Sequence, residues 1–312
     1  MNIRLILSGL AASAALCAIP GTARAQIFVA NVAQGAAGAG TIGEYTTSGA
    51  LVNPALVSGL SYPQGIAVSG DKLFVANLLT GTIGEYTTSG ATVNPALISG
   101  LNGPGAIEVS GGLLYVATSS PTIEGSVIGK YTTSGATVNA TLAERSGPIS
   151  DIAISGDKLF FSDITDGLVG EYTTSGALVN ASLISGLTFP LGIAISGDRL
   201  FVVNSGTEPG TGTIGEYTIS GAIVNPALVS GLTFPGAIAV SGDNLFVASF
   251  LGTIGEYTTS GATVNASLIS GLNELGDIAV VSASVPEASS VALLLLGVTA
   301  MFGLESLRRR PT

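Results

Sequence analysis

Residues 63–98 read PQGIAVSGDKLFVANLLTGTIGEYTTSGATVNPALI, and this stretch decides the fold. It holds four short runs rich in β-branched and aromatic residues, at 66–69, 73–77, 82–87 and 92–98. Gly70-Asp71 separates the first two and Ser89-Gly90 the last two, and such residues supply the backbone angles and local hydrogen bonds of tight turns. The proline of V-N-P has no N–H to give a ladder, which places the fourth run at an outward-facing edge. Nothing in the unit has helical periodicity.

The unit repeats along the chain. Its third-run tyrosine recurs at Tyr45, Tyr86, Tyr131, Tyr172, Tyr217 and Tyr257, spaced by 41, 45, 41, 45 and 40 residues. A period of this length with four strands per unit is the signature of a propeller blade. The ends of the repeat region strengthen that reading. It enters at Ile27-Phe28-Val29-Ala30-Asn31, a second-strand motif, and leaves at Ile278-Ala279-Val280-Val281, a first-strand motif. Six complete units exist only if the two ends share one blade, and such pairing removes the open edge of a ring. The expected fold is therefore all-β: a six-bladed β-propeller of four-stranded blades, closed by pairing its N-terminal and C-terminal strands.

The string P-x-G-I-A-V-S-G-D-x-L-F-V-A-N, at 63–77 and in close variant at 190–204, resembles the NHL-type and related six-bladed propellers. The resemblance covers most of residues 26–281 and implies the fold rather than an activity. Propellers of this kind serve as hydrolases, lyases, oxidoreductases and pure binding modules.

Two terminal segments stand outside the repeat. Residues 1–25 carry Arg4, an apolar stretch and then Ala23-Arg24-Ala25, the small-residue pattern that signal peptidase cuts. Cleavage before Gln26 is expected, and Cys17 leaves with the leader. After residue 284 the composition changes. Val285-Pro286-Glu287-Ala288 precedes an apolar run, and Arg308-Arg309-Arg310 lies close to the C-terminus. This order resembles the PEP-CTERM sorting signal, with Ala288 where that family usually has proline. The resemblance implies an exosortase-like protease as partner. It also implies brief anchoring in the inner membrane by a short transmembrane helix, with the arginines on the cytoplasmic side, and then release to the cell surface or medium. The expected organisation is a signal peptide at 1–25, the propeller at 26–284 and the sorting signal at 285–312.

Charge and composition narrow the function. Between residues 26 and 284 stand five basic side chains and eighteen acidic ones, a balance that opposes nucleic acid or anionic lipid as partner. The chain contains no histidine, and its one cysteine is in the leader, so imidazole and thiol catalysis are excluded. Asp151, Asp163 and Asp166 form the densest acidic group and are weak candidates for calcium; no other cofactor is expected. Asn31, Asn77, Asp163 and Asn204 end second strands and read as turn caps. A position repeated in every blade, such as the glutamate of T-I-G-E-Y, reads as structural. No asymmetric catalytic constellation emerges. The expectation is a monomeric, exported, non-enzymatic binding or structural module for an exopolysaccharide or surface protein. A metal-dependent gluconolactonase-like hydrolase is the alternative.

One asymmetry points to a binding face. The segments between second and third strands are long at 32–39, 119–125 and 205–211, and short at 78–80, 164–166 and 250–251. In a four-stranded blade they share a face with the blade-to-blade links, which carry Tyr62, Phe189 and Phe234 beside prolines. That face is the candidate contact surface.

Overall fold

The first inner strand pairs with the last one, as ring closure requires. In a computed structural model that describes residues 25–32 and 38–282, Gln26–Asn31 lies antiparallel to Leu275–Val281, with Ile27 opposite Val280 and Val29 opposite Ile278. Leu275–Val281, Gln26–Asn31, Gly40–Thr46 and Leu51–Leu60 thereby form blade 1. Five further four-stranded antiparallel sheets follow in chain order, beginning at Pro63, Ile107, Ile149, Pro190 and Pro235. Each blade's first strand touches those of its two neighbours, and together the six enclose a central channel. The described residues contain no helix. Ala23, the 285–288 motif and the arginines at 308–310 lie outside them, as does most of the first long loop.

Period-two alternation in the second strand glues the ring together. Ile27 and Val29 pack against blade 6, whereas Phe28 and Ala30 pack against blade 2. The same division recurs around the disc, giving six apolar clusters, one at each interface between blades. Phe28, Phe74, Phe160 and Phe201 are fully buried in this way, each side chain contributing roughly 1.5–3 kcal/mol of transfer energy.

The G-E-Y triplet of the third strand has a steric basis. The ring of Tyr86 folds back over Gly84, so a Cβ there would stand 2.7 Å from the ring. The intervening Glu85 is buried and pairs with Lys72 at the start of the second strand, at 2.6 Å. Lys158–Glu171 and Arg199–Glu216 repeat the pair, and Gln26 and Asn244 donate to Glu44 and Glu256. Blade 3 alone replaces the glutamate, with Lys130; Tyr115 stands opposite, Leu113 takes the position that Lys72 holds in blade 2, and Lys130 Nζ donates to the Thr174 carbonyl of blade 4 at 2.9 Å.

The fourth strand is an outer edge, as its proline predicts, and it bulges after the asparagine. Glu85 pairs with Asn94 but Ile83 with Ile98, leaving extra residues between them. Asn94 Oδ1 accepts the Ala96 N–H at 3.1 Å and holds the bulge. The bulge of one blade receives the third-strand turn of the next. Gly90 has φ of 88° and lies so close to the Leu56 carbonyl that a Cβ would come within 2.5 Å of it.

Candidate functional site

The link face holds the asymmetric features of the molecule. Tyr62, Phe189 and Phe234 occupy the left-handed region, with φ of 59°, 52° and 46°. A bulky side chain is rarely found there, and each is also followed by a proline that presses its predecessor toward extended backbone. Their carbonyls are pinned by the loop of the same blade. Leu78, Ser205 and Phe250 donate their backbone N–H groups to Tyr62, Phe189 and Phe234 at 3.1, 3.0 and 3.1 Å. The links and the second-to-third-strand loops thus share one face, as the sequence predicts.

Phe189 and Phe250 are 45% and 42% exposed. With Phe234, Ile164 and Leu191 they line an open apolar hollow of about 510 Å³ over blades 4 to 6. Beside it, a cleft of about 390 Å³ enters blade 5 between Thr188, Asn204, Thr207, Thr213 and Tyr217. Gly206 and Thr207, in the long loop of blade 5, line both. Among the described residues no charged side chain lines either space.

The three acidic candidates do not assemble. Asp151 faces the channel, whereas Asp163 and Asp166 are held by Arg145, through Nε at 2.5 Å and Nη2 at 2.7 Å. Asp163 is completely buried and its Oδ1 accepts the N–H groups of Thr165 and Asp166, both at 2.9 Å. That makes it a turn cap neutralised by an arginine, and Arg145 also lies over the Phe161 ring at 4.9 Å. Among the described residues no three acidic, histidine or cysteine side chains converge as metal ligands. Asn77 caps its link by accepting the Ser61 N–H at 3.3 Å, while Asn31 and Asn204 donate to Thr41 and Thr213 at 3.3 Å.

The channel joins Asp151 to two acids that sequence density did not single out, Glu108 and Asp277. Glu108, Asp151 and Asp277 line its wall, enclosing about 250 Å³. Each aspartate clasps the next blade. Asp151 accepts the Ile193 N–H of blade 5 at 2.8 Å, and Asp277 that of Ile66 in blade 2 at 3.0 Å. Each also accepts the N–H of the following residue, Ile152 or Ile278, at 2.8 Å. They stand three blades apart at a register where blades 2 and 5 have Gly65 and Gly192, and a blade-by-blade alignment reveals the pair. Loss of solvation pushes Glu108 up to about 8, with the Asp277 charge adding to it. Desolvation raises Asp277 to about 6 against its two N–H donors, and holds Asp151 well above the carboxylate range, helped by the Asp277 charge.

The chain matches no known family profile and no curated protein. Solved structures share its fold. The nidogen/laminin complex aligns over 82% of this chain and 98% of the matched chain, with a TM-score of 0.65 and 14% identity. A gluconolactonase from Xanthomonas campestris aligns over 78% and 86%, with a TM-score of 0.56 and 15% identity. A catalytically inactive virginiamycin B lyase from Staphylococcus aureus, with quinupristin, aligns over 77% and 85%, with a TM-score of 0.55 and 19% identity. The class is thereby set: this chain is a six-bladed β-propeller. At such identities the likeness extends to the fold and no further.

Proposed function

We propose that the chain is an exported, non-catalytic binding propeller whose link face engages a macromolecule of the cell surface or matrix. The observation that carries this reading is the set of three aromatic side chains held in left-handed backbone. Glycine would occupy those positions without strain, as Gly103 does in blade 3 with φ of 57°. Strain retained on one face, beside an exposed apolar hollow, is what selection for contact leaves behind. A non-catalytic role fits a fold without histidine or cysteine, whose two channel aspartates are committed to backbone N–H groups.

The test is the triple variant Tyr62→Gly, Phe189→Gly and Phe234→Gly. It should fold at least as well as the parent and lose attachment to the cell surface or matrix. Undiminished attachment, or ester hydrolysis by the purified protein with calcium, would overturn the reading. Export through signal peptidase and an exosortase-like protease belongs to the same proposal. Replacing Pro286 and Glu287 by alanine should leave an uncleaved, membrane-retained form; normal release would remove the sorting step.

A further inference from the structure

The geometry points to a saccharide-binding site in blade 5: the threonine-lined cleft takes one uncharged sugar unit of a polysaccharide, and the neighbouring aromatic hollow takes the units that follow. This deepens the proposed contact face and rests on it.

The cleft has the chemistry that a sugar ring requires. Tyr217 is 3% exposed, lines the cleft, and its hydroxyl makes no hydrogen bond to any described residue. The hydroxyl itself opens to the cleft and is free to donate or accept there. Four of its five counterparts likewise have no partner among the described residues, and Tyr172 alone donates, to the Glu144 carbonyl at 3.0 Å; what sets blade 5 apart is the wide, threonine-lined cleft below its long loop. Thr188 and Thr207 add exposed hydroxyls, and Thr213, which accepts from Asn204, keeps its own O–H to donate. Donors and acceptors of this kind without charge suit a polyol. A peptide ammonium, a carboxylate or a phosphate would find no counter-charge in either space.

The adjacent hollow supplies the other half of sugar recognition. The exposed rings of Phe189 and Phe250, with Phe234 between blades 5 and 6, offer apolar faces against which the C–H side of a pyranose can lie. Gly206 and Thr207 are common to both spaces, so one extended chain can run from one to the other. The acidic surface, eighteen acids against five bases in residues 26–284, disfavours an anionic polymer and leaves a neutral one.

The experiment titrates the full chain, purified in mild detergent, with neutral hexaoses of glucose, galactose, mannose and N-acetylglucosamine. Oligogalacturonate and a lysine-leucine hexapeptide serve as comparators, and binding is read by calorimetry. At least one neutral hexaose should bind with simple saturation. Tyr217→Phe should weaken it about fivefold, the scale of one hydrogen bond, and Phe189→Gly at least tenfold, with both variants folded by circular dichroism. Failure of every neutral sugar at millimolar concentration overturns the proposal, as does binding indifferent to Tyr217→Phe. A peptide that binds and is lost with Phe189→Gly, while no sugar binds, overturns the saccharide and leaves the contact face standing. Sugar binding untouched by Phe189→Gly and by loss of all three left-handed aromatics overturns both.

Discussion

Phe189 shows how much a single backbone angle adds to a reading of residue types. Its place beside a proline in a link was legible in the sequence; that it sits at φ of 52° was not, because the conformation is imposed by the Ser205 N–H and the blades on either side. Left-handed backbone costs a side chain with a Cβ roughly 1–2 kcal/mol. Phe189→Gly is therefore expected to raise Tm by a few degrees, at about 2–4 °C for each kcal/mol in a domain of this size, and Phe189→Ala to lower it relative to Phe189→Gly. Thermal unfolding of the three proteins checks this. Among the acids, residue-level reasoning grouped Asp151 with Asp163 and Asp166 by closeness along the chain. Arg145 separates them in space: it neutralises the last two, and Asp151 turns to the channel.

At the scale of the element, the third strand carries two dependencies that substitutions can separate. Gly84→Ala would drive a methyl group to 2.7 Å from the Tyr86 ring, and is expected to destabilise by about 1–3 kcal/mol. Combined with Tyr86→Leu the loss should be less than additive, because the second change removes the ring that clashes; denaturant titration of the cycle measures it. Blade 3 offers the second case. Lys130→Glu alone creates an acid while Leu113 fills the position from which Lys72 reaches Glu85 in blade 2, and should cost about 3–5 kcal/mol, the scale of a buried charge without its partner. Adding Leu113→Lys recreates the pair of the other blades and should recover most of that loss. The motif and its recurrence were readable; the reason for its glycine was not, since a ring lying over the residue two positions earlier is a contact, not a composition.

For the whole molecule, closure and the channel set the behaviour. Removal of residues 26–31 takes away the second strand of blade 1, and with it the packing of Phe28 and Ile27 against both neighbours. The expected outcome is a cooperative loss of the entire domain, seen as an insoluble chain or a single much lower transition. A native-like transition with one frayed end would contradict the closed ring. The channel predicts a pH dependence of definite sign. Glu108, Asp151 and Asp277 are raised above their unfolded values, so the folded state holds their protons more tightly. Their favourable contribution is complete below about pH 4, near the unfolded carboxylate values, and is lost as pH rises through about 6 for Asp277 and about 8 for Glu108. Tm should fall between pH 5 and 9, and Glu108→Gln should remove the part of the fall nearest pH 8. A rise over that range would contradict the channel geometry.

What the sequence by itself determined is the ring: a unit of four β-prone runs, its sixfold recurrence, and two ends that complete one blade only together. Repetition makes these legible, because every copy must satisfy the same pleat, turn and interface, and six independent statements of one pattern leave little freedom. What only the tertiary structure decided lies where copies differ. Asp151 and Asp277 are 126 residues apart in the chain and line the same channel. Among the six third-strand tyrosines Tyr172 alone donates to a described residue, and nothing in its own motif announces it: Phe161 takes the place over Gly170, and the Glu144 carbonyl of the adjoining blade accepts the hydroxyl. A local pattern fixes what a residue does within its strand. The partners that leave one copy open and close another come from the neighbouring blade, and the ring alone brings them together.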